Sequence, residues 1–295
     1  MHYPKISIVT PAYNSQRLIA DTIESVLSQG YPNLEYIIID GGSTDGTAQV
    51  IERYAAQLSY WHSQPDAGQY DAINQGFAKA TGEIMCWLNA DDMFLPRSLF
   101  VVGEIFAQLS NVEWLSSLQP ATWDAKGFLA GTNALPGFSR QAFLDGLYLP
   151  TTAKKGYWMQ QESTFWRKSL WDKVGAQIPK YDLAGDFALW TQFYEHANLV
   201  GLTYPLGGFR MIEGQRSEDH QAYLVQATTA LEIARKKARW SPSIATSLLY
   251  SKGNDIPRLS QILKSRYGYI GSEIQKVSPR SMNSGWQILE KRFLP

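Results

Sequence analysis

The sequence predicts an α/β fold built on a doubly wound, mostly parallel sheet with helices on both faces. Short apolar runs such as Tyr36-Ile37-Ile38-Ile39 and Ile84-Met85-Cys86-Trp87-Leu88 are hydrophobic without alternation, as in strands covered on both sides. Between such runs lie segments with apolar residues at helical spacing, and strands alternating with helices are joined by crossovers into a parallel sheet. A third observation bears on function: the run over 83–88 ends in Asn89-Ala90-Asp91-Asp92. Ligands of open α/β sheets bind at the carboxyl ends of the strands, and a hard divalent cation takes oxygen ligands.

Taken in order, Ile6-Ser7-Ile8-Val9-Thr10 reads as a first strand, broken by Pro11. Asn14 and Ser15 suit a helix cap ahead of the apolar face Ile19, Ile23, Val26 and Leu27. The second strand runs into Asp40-Gly41-Gly42-Ser43-Thr44-Asp45-Gly46-Thr47, followed by a helix carrying Val50, Ile51, Tyr54 and Leu58. A third unit passes from Tyr60-Trp61 through Pro65-Asp66-Ala67-Gly68-Gln69-Tyr70-Asp71 into a short helix and the strand over 83–88. Pro96 with Leu99, Val102, Ile105 and Phe106 predicts the next helix. Further on, Gln160-Gln161-Glu162-Ser163-Thr164-Phe165-Trp166-Arg167 reads as a strand entering a helix over 169–174 that Gly175 stops. A last helix opens near Asp186, with Phe187, Trp190 and Phe193 along one side.

Asp40, Asp71, Asp91 and Asp92 then fall near carboxyl ends of strands. Asp40 suits accepting from a ring N–H and a ribose, or capping its glycine turn. Tyr13 suits packing on a base or within its loop, and Asp71 suits a ligand or the helix macrodipole. Asp91-Asp92 reads either as a metal site or as an acidic turn. G-x-G-x-x-G and Gly-Lys-Ser/Thr are absent, which argues against a nicotinamide enzyme or a P-loop nucleotidase.

Ser7-Ile8-Val9-Thr10-Pro11-Ala12-Tyr13-Asn14, the Asp40-to-Thr47 segment, Gly68-Gln69-Tyr70-Asp71-Ala72-Ile73-Asn74-Gln75-Gly76 and Leu88-Asn89-Ala90-Asp91-Asp92 together resemble the successive motifs of family 2 glycosyltransferases. The resemblance extends over residues 4–217. It implies a GT-A fold and inverting transfer of a sugar from a nucleotide-sugar donor, UDP-linked, to a hydroxyl of a glycan or lipid-linked acceptor in bacterial cell-surface polysaccharide synthesis. It also implies a Mn²⁺ or Mg²⁺ cofactor. Carried over residue by residue, Thr10, Pro11, Tyr13, Asn14, Asp40, Asp71, Asn89 and Asp91 bind the donor, and Asp92 is the direct metal ligand. Two departures stand out. Asn89 occupies the first position of the D-x-D pattern and brings no charge, and Ile212 stands where relatives carry a histidine two residues after the arginine. Arg210 and Arg216 are then expected on the phosphate side.

A direct displacement needs a base for the acceptor hydroxyl and a cation for the departing diphosphate. Asp186 resembles the family's general base; alone it also suits a helix N-cap, and Asp182 is the next carboxylate. Gln161, Glu162 and Trp190 are expected at the acceptor. A competing reading, motivated by Asn89 and Ile212, is a non-catalytic nucleotide-sugar-binding partner of a polysaccharide assembly complex.

These expectations divide the chain into a GT-A domain over 1–217, with a nucleotide-sugar-binding half over 1–95 and an acceptor half over 96–217, and a basic helical extension over 218–295 punctuated by Pro242, Pro257 and Pro279. Net charge is zero, yet residues 1–150 carry 7 Lys/Arg against 15 Asp/Glu while residues 219–295 carry 12 against 5. The run Arg235-Lys236-Lys237-Ala238-Arg239-Trp240 reads as a solvated helix face or as attraction to an anionic inner-membrane surface. Neutral overall charge and the lack of a motif argue against nucleic acid. No 18-residue apolar stretch occurs, residues 1–20 read as a strand rather than a signal peptide, and the lone Cys86 fits a reducing compartment, so a cytoplasmic, soluble or peripheral protein is expected. His2, His62, His196 and His220 have no zinc spacing with Cys86. Choice among hexoses rests on one or two hydrogen bonds, so the motifs select neither sugar nor linkage; nor do they select an oligomeric state.

Overall fold

The computed structural model describes residues 3–149, 157–242, 268–277 and 284–294. The N-terminal half comprises β1 (Ile6–Ala12), α1 (Ile19–Leu27), β2 (Leu34–Asp40), α2 (Thr47–Glu52), β3 (Tyr60–Ser63), α3 (Gln69–Lys79), β4 (Ile84–Trp87), β5 (Met93–Phe94) and α4 (Ser98–Gln108). β1 lies between β2 and β4 and runs parallel to both, with Ile8 opposite Tyr36 and Cys86, and β3 adds in parallel outside β2. Every β1 residue is buried, as the non-alternating pattern requires.

Pro11 does not break the first strand. Val9 accepts from Leu88 N on the β4 side and Ala12 accepts from Gly41 N on the β2 side. Backbone groups alternate sides, so the N–H that Pro11 lacks would point past the end of β4 at Trp87, where the ladder has stopped. The expected cap on α1 is also absent: Asn14 and Ser15 clip their backbone N–H groups to Ser43 Oγ and Thr47 Oγ1 instead.

The second half contributes β6 (Trp114–Ser117), β7 (Ala121–Trp123), β8 (Leu129–Thr132), α5 (Arg140–Leu144), β9 (Thr164–Arg167), α6 (Lys168–Lys173), α7 (Gly185–His196), β10 (Val200–Leu202), β11 (Gly207–Arg210), α8 (His220–Ala238), β12 (Tyr269–Lys276) and β13 (Trp286–Phe293). Among the described residues these form a nine-stranded sheet, ordered β13-β12-β10-β6-β9-β4-β1-β2-β3, and a four-stranded sheet, β5-β11-β7-β8. β9 runs antiparallel between β4 and β6, which joins the strands of the N-terminal half to those of the second half. Trp87, Trp114, Trp166 and Trp190 pack together beneath this junction, with Trp87 stacked on Trp190 at 5.9 Å.

The C-terminal region differs from the expected helical appendage. α8 is followed by β12, which pairs in parallel with β10, and β13, which closes that edge antiparallel. Asp145 accepts from Trp240 Nε1 at 2.9 Å and from Tyr269 Oη at 2.8 Å, tying α8 and β12 to the body. The basic run is tied down as well: Arg235 Nε donates to Leu144 O at 2.6 Å, and Lys237 pairs with Glu195. Pro257 and Pro279 lie outside the described residues. No helix among the described residues is long and apolar enough to cross a membrane.

Candidate active site

The turn after β4 holds its two acids differently. Asp92 is 1% exposed, with Oδ1 accepting from the Arg210 backbone N at 2.9 Å and Oδ2 accepting from Asn89 Nδ2 at 3.0 Å. Burial, then the charges of Glu162 and Asp91, push its carboxyl well above the usual range. It therefore fastens the β4 turn to β11 and has little left to offer a ligand. Asp91 is half-buried and accepts from Gln215 Nε2 at 2.8 Å, and burial raises its pKa too. Of the two, Asp91 is the more open acid and Asp92 the more enclosed, the reverse of what a direct metal ligand at Asp92 requires.

On the donor side Asp40 is fully buried. It accepts from Ser43 N at 3.0 Å, Ser43 Oγ at 2.5 Å and Ser63 Oγ at 2.5 Å, so its carboxylate closes the glycine turn. The carboxylate left open at this edge belongs to Asp66. It sits over Gly41, where a β-carbon would come within 2.8 Å of Oδ2, and its Oδ1 accepts from Gly68 N at 2.8 Å. Thr10 Oγ1 is buried against Tyr36 Oη at 3.0 Å and Pro11 is buried, so neither presents a side chain to a ligand. Asn14, at φ 47, accepts from Thr44 N and braces the loop that displays Tyr13, 66% exposed. Asp71 accepts from Ala67 N, just ahead of α3, and from Gln75 Nε2, and Asn89 accepts from Gln69 Nε2 at 2.7 Å.

Asp186 occupies the first turn of α7. It is 8% exposed, and its oxygens accept from Tyr223 Oη at 3.1 and 3.3 Å. Burial raises its pKa to about 6, against the lowering effect of hydrogen bonds from the α7 backbone and Tyr223. Glu162 is also buried, and burial with the charges of Asp186 and Asp91 lifts it to about 7 beside Asp92. Gln161 does not face an acceptor: its Nε2 donates to the Trp87 carbonyl beneath the cleft. Trp190 is 1% exposed within the tryptophan cluster, so it is core.

The two arginines part company. Arg210 is 1% exposed and its guanidinium turns toward α1, pairing with Asp21 at 2.9 Å, so it does not meet the phosphate side as expected. Arg216 is exposed and bridges Gln69 Oε1 and the Asp182 carbonyl over the cleft. Asp182 itself is exposed, offering no water-excluded base. Tyr223, Gln215, Tyr70 and Asp66 escaped sequence reasoning. Tyr70 Oη donates to Leu183 O at 2.7 Å and accepts from Asp186 N at 3.4 Å. Tyr70 and Asp66 lay inside quoted motifs, whereas Tyr223 and Gln215 carried no local signal.

The family described as Glycosyl transferase family 2 matches residues 7–110. A Mycobacterium tuberculosis protein named an uncharacterized glycosyltransferase is 31% identical over 201 residues, 67% of this chain and 70% of its own. The putative teichuronic acid biosynthesis glycosyltransferase TuaG of Bacillus subtilis is 35% identical over 99 residues, 32% of this chain and 39% of its own. S. aureus TarS, solved as residues 1–349 with UDP-GlcNAc, superposes at TM-score 0.59 and 17% identity over 84% of this chain and 71% of that one. Mannosyltransferase PcManGT from Pyrobaculum calidifontis, solved with GDP-Man and Mn²⁺, gives TM-score 0.50 and 18% identity over 86% and 81%. At such identities the solved structures speak for the fold, which is GT-A. Kinship over two thirds of both chains carries the activity, and on that ground this chain is a glycosyltransferase that belongs to glycosyl transferase family 2.

Proposed function

We propose that this chain transfers a sugar from a UDP-linked donor to a hydroxyl of a glycan acceptor, with inversion, Asp186 serving as base. The observation that carries this reading is the buried Asp186 carboxylate, pushed up to about 6 and held by Tyr223 at the start of α7. A base is most effective when its pKa lies near the working pH. Asp186 takes the proton of the acceptor hydroxyl as that oxygen bonds to the anomeric carbon, while the bond from that carbon to the donor's phosphate oxygen breaks and UDP leaves. Support for the nucleotide and acceptor class comes from TarS, solved with UDP-GlcNAc, and from the name of TuaG.

The residues fit a divalent cation of the kind held by one or two carboxylates together with substrate phosphates. Asp91, half-buried and bonded only through Gln215 in the contacts described, is the carboxylate that would hold it. When bound, such an ion supplies charge neutralisation to the departing diphosphate. Arg216, next to Gln215 and bonded to Gln69, adds positive charge near the same turn. With Asp40 closed, base recognition passes to the exposed ring of Tyr13 and the open carboxylate of Asp66, at the same strand edge.

Asp186→Asn preserves size and removes the base, so UDP binding should persist while turnover falls roughly 10²- to 10⁴-fold. Calorimetry with UDP and a UDP-release assay on the same protein check this. Turnover near wild type would move the base elsewhere.

A further inference from the structure

The one-turn segment Gln161–Ser163 is locked on both sides of Glu162. Gln161 Nε2 donates to the Trp87 carbonyl, while Ser163 Oγ donates to Gly207 O at 3.0 Å and accepts from Gly207 N at 3.1 Å. Gly207 packs so closely on the Glu162 carbonyl that a β-carbon has no room there. The backbone thus fixes where the Glu162 side chain goes. That side chain is 6% exposed, and its Oε2 is buried with no hydrogen-bond partner. Leaving such an oxygen unpaired costs free energy that a ligand contact would recover.

Its surroundings narrow the ligand. Glu162 lies beside Asp92 and feels the charges of Asp91 and Asp186, while Tyr223 in turn feels Glu162. It therefore shares its surroundings with both the acid assigned to the diphosphate end and the acid assigned as base, the region the transferred sugar would occupy. A phosphate would find acids and no cation among the groups that act on this carboxyl. A cation at Glu162 would draw on its neighbour Asp92, whose oxygens already accept from Arg210 N and Asn89 Nδ2. A neutral hydroxyl donates to the orphan oxygen and brings no charge.

Resting on the function proposed above, we infer that Glu162 is a specificity-determining residue whose Oε2 receives a sugar hydroxyl in the reacting complex. The donor sugar is the source the position favours, and an acceptor hydroxyl carries the same chemistry.

The test compares wild type, Glu162→Gln and Glu162→Ala in calorimetry with UDP, UDP-glucose, UDP-galactose and their N-acetyl forms, alongside thermal melting. UDP should bind all three proteins within about twofold. The preferred UDP-sugar should lose about 10- to 100-fold with Glu162→Ala and less with the isosteric Glu162→Gln, and ranking among the sugars should flatten. Unchanged UDP-sugar affinity with an acceptor KM raised at least about tenfold would assign the hydroxyl to the acceptor and support the inference. If neither parameter moves in Glu162→Gln or a folded Glu162→Ala, Glu162 is a structural acid and the inference fails while the proposed function stands. If wild type binds no nucleoside diphosphate or nucleotide sugar, the proposed function falls and the inference with it.

Discussion

At the Asn89-Ala90-Asp91-Asp92 turn, adjacent carboxylates meet different surroundings. Asp92 is enclosed by Arg210 N and Asn89, whereas Asp91 meets Gln215, a residue ligand binding could displace. The difference predicts opposite mutant behaviour. Asp92→Ala strands two buried donors and should lower stability by about 1–3 kcal/mol. Asp91→Ala should leave melting near wild type and weaken Mn²⁺-dependent UDP binding by at least about tenfold, since it removes the charged ligand. Thermal unfolding without ligand and calorimetry with UDP and Mn²⁺ separate the two. The reverse result, binding lost at unchanged melting in Asp92→Ala, would restore Asp92 as the metal ligand. Neighbouring positions along a turn share motif and composition, so only their partners distinguish them.

Among the elements, α8 and β12 bind the C-terminal region to the catalytic body. α8 supplies Tyr223 to Asp186, and its Gln226 Oε1 accepts from Leu183 N at 2.9 Å and Ala184 N at 3.2 Å, at the entry to α7. Asp145 fastens the far end of α8 and the start of β12 through Trp240 and Tyr269. Asp145→Ala should therefore cost about 1–3 kcal/mol. It should also speed amide exchange in β12 more than in the buried central strand β1. Hydrogen-exchange mass spectrometry measures both, and equal acceleration in β1 and β12 would show that Asp145 is no local fastener. A helical region was expected here, and α8 meets that expectation, burying Leu231 and Ala234. The strands were not expected, because their buried residues, Tyr269, Ile274 and Phe293, are sparse among charged and polar neighbours.

For the molecule as a whole, the amino end of the sheet depends on a buried acid. Glu35 accepts from Lys5 Nζ at 2.7 Å, Ser7 Oγ at 2.5 Å, and Thr81 N and Oγ1 at 2.7 Å each, joining β1, β2 and the turn into β4. Burial raises its pKa, but these hydrogen bonds outweigh burial and bring it down to about 2 from 4.5. A depressed folded pKa stabilises above the unfolded value, and that contribution is lost as pH falls from about 4.5 toward 2. Discounted for solvent screening at the sheet rim, it is worth about 1–2 kcal/mol. Glu35→Gln should melt a few degrees below wild type at pH 6, and the gap should narrow steadily between pH 5 and pH 3, closing only below the folded pKa of about 2. A gap constant across that range would show that Glu35 ionisation does not support the fold.

The alternation of strand and helix over the N-terminal half, its buried parallel strands and the four motifs were determined by the sequence itself, because each is written in contiguous residues: apolar runs, helical spacing, glycine turns. Those features suffice for the α/β class and for kinship with family 2. Tertiary structure alone decided which acids remain open. Asp40 is closed by Ser63 from β3, Asp92 by Arg210 from β11, and Asp186 is held by Tyr223 from α8. It also buried Trp190 in a cluster drawn from several strands and turned Arg210 away toward Asp21. A carboxylate's availability depends on which distant donors the sheet order brings to it, and that order is a property of the assembled fold rather than of any local segment.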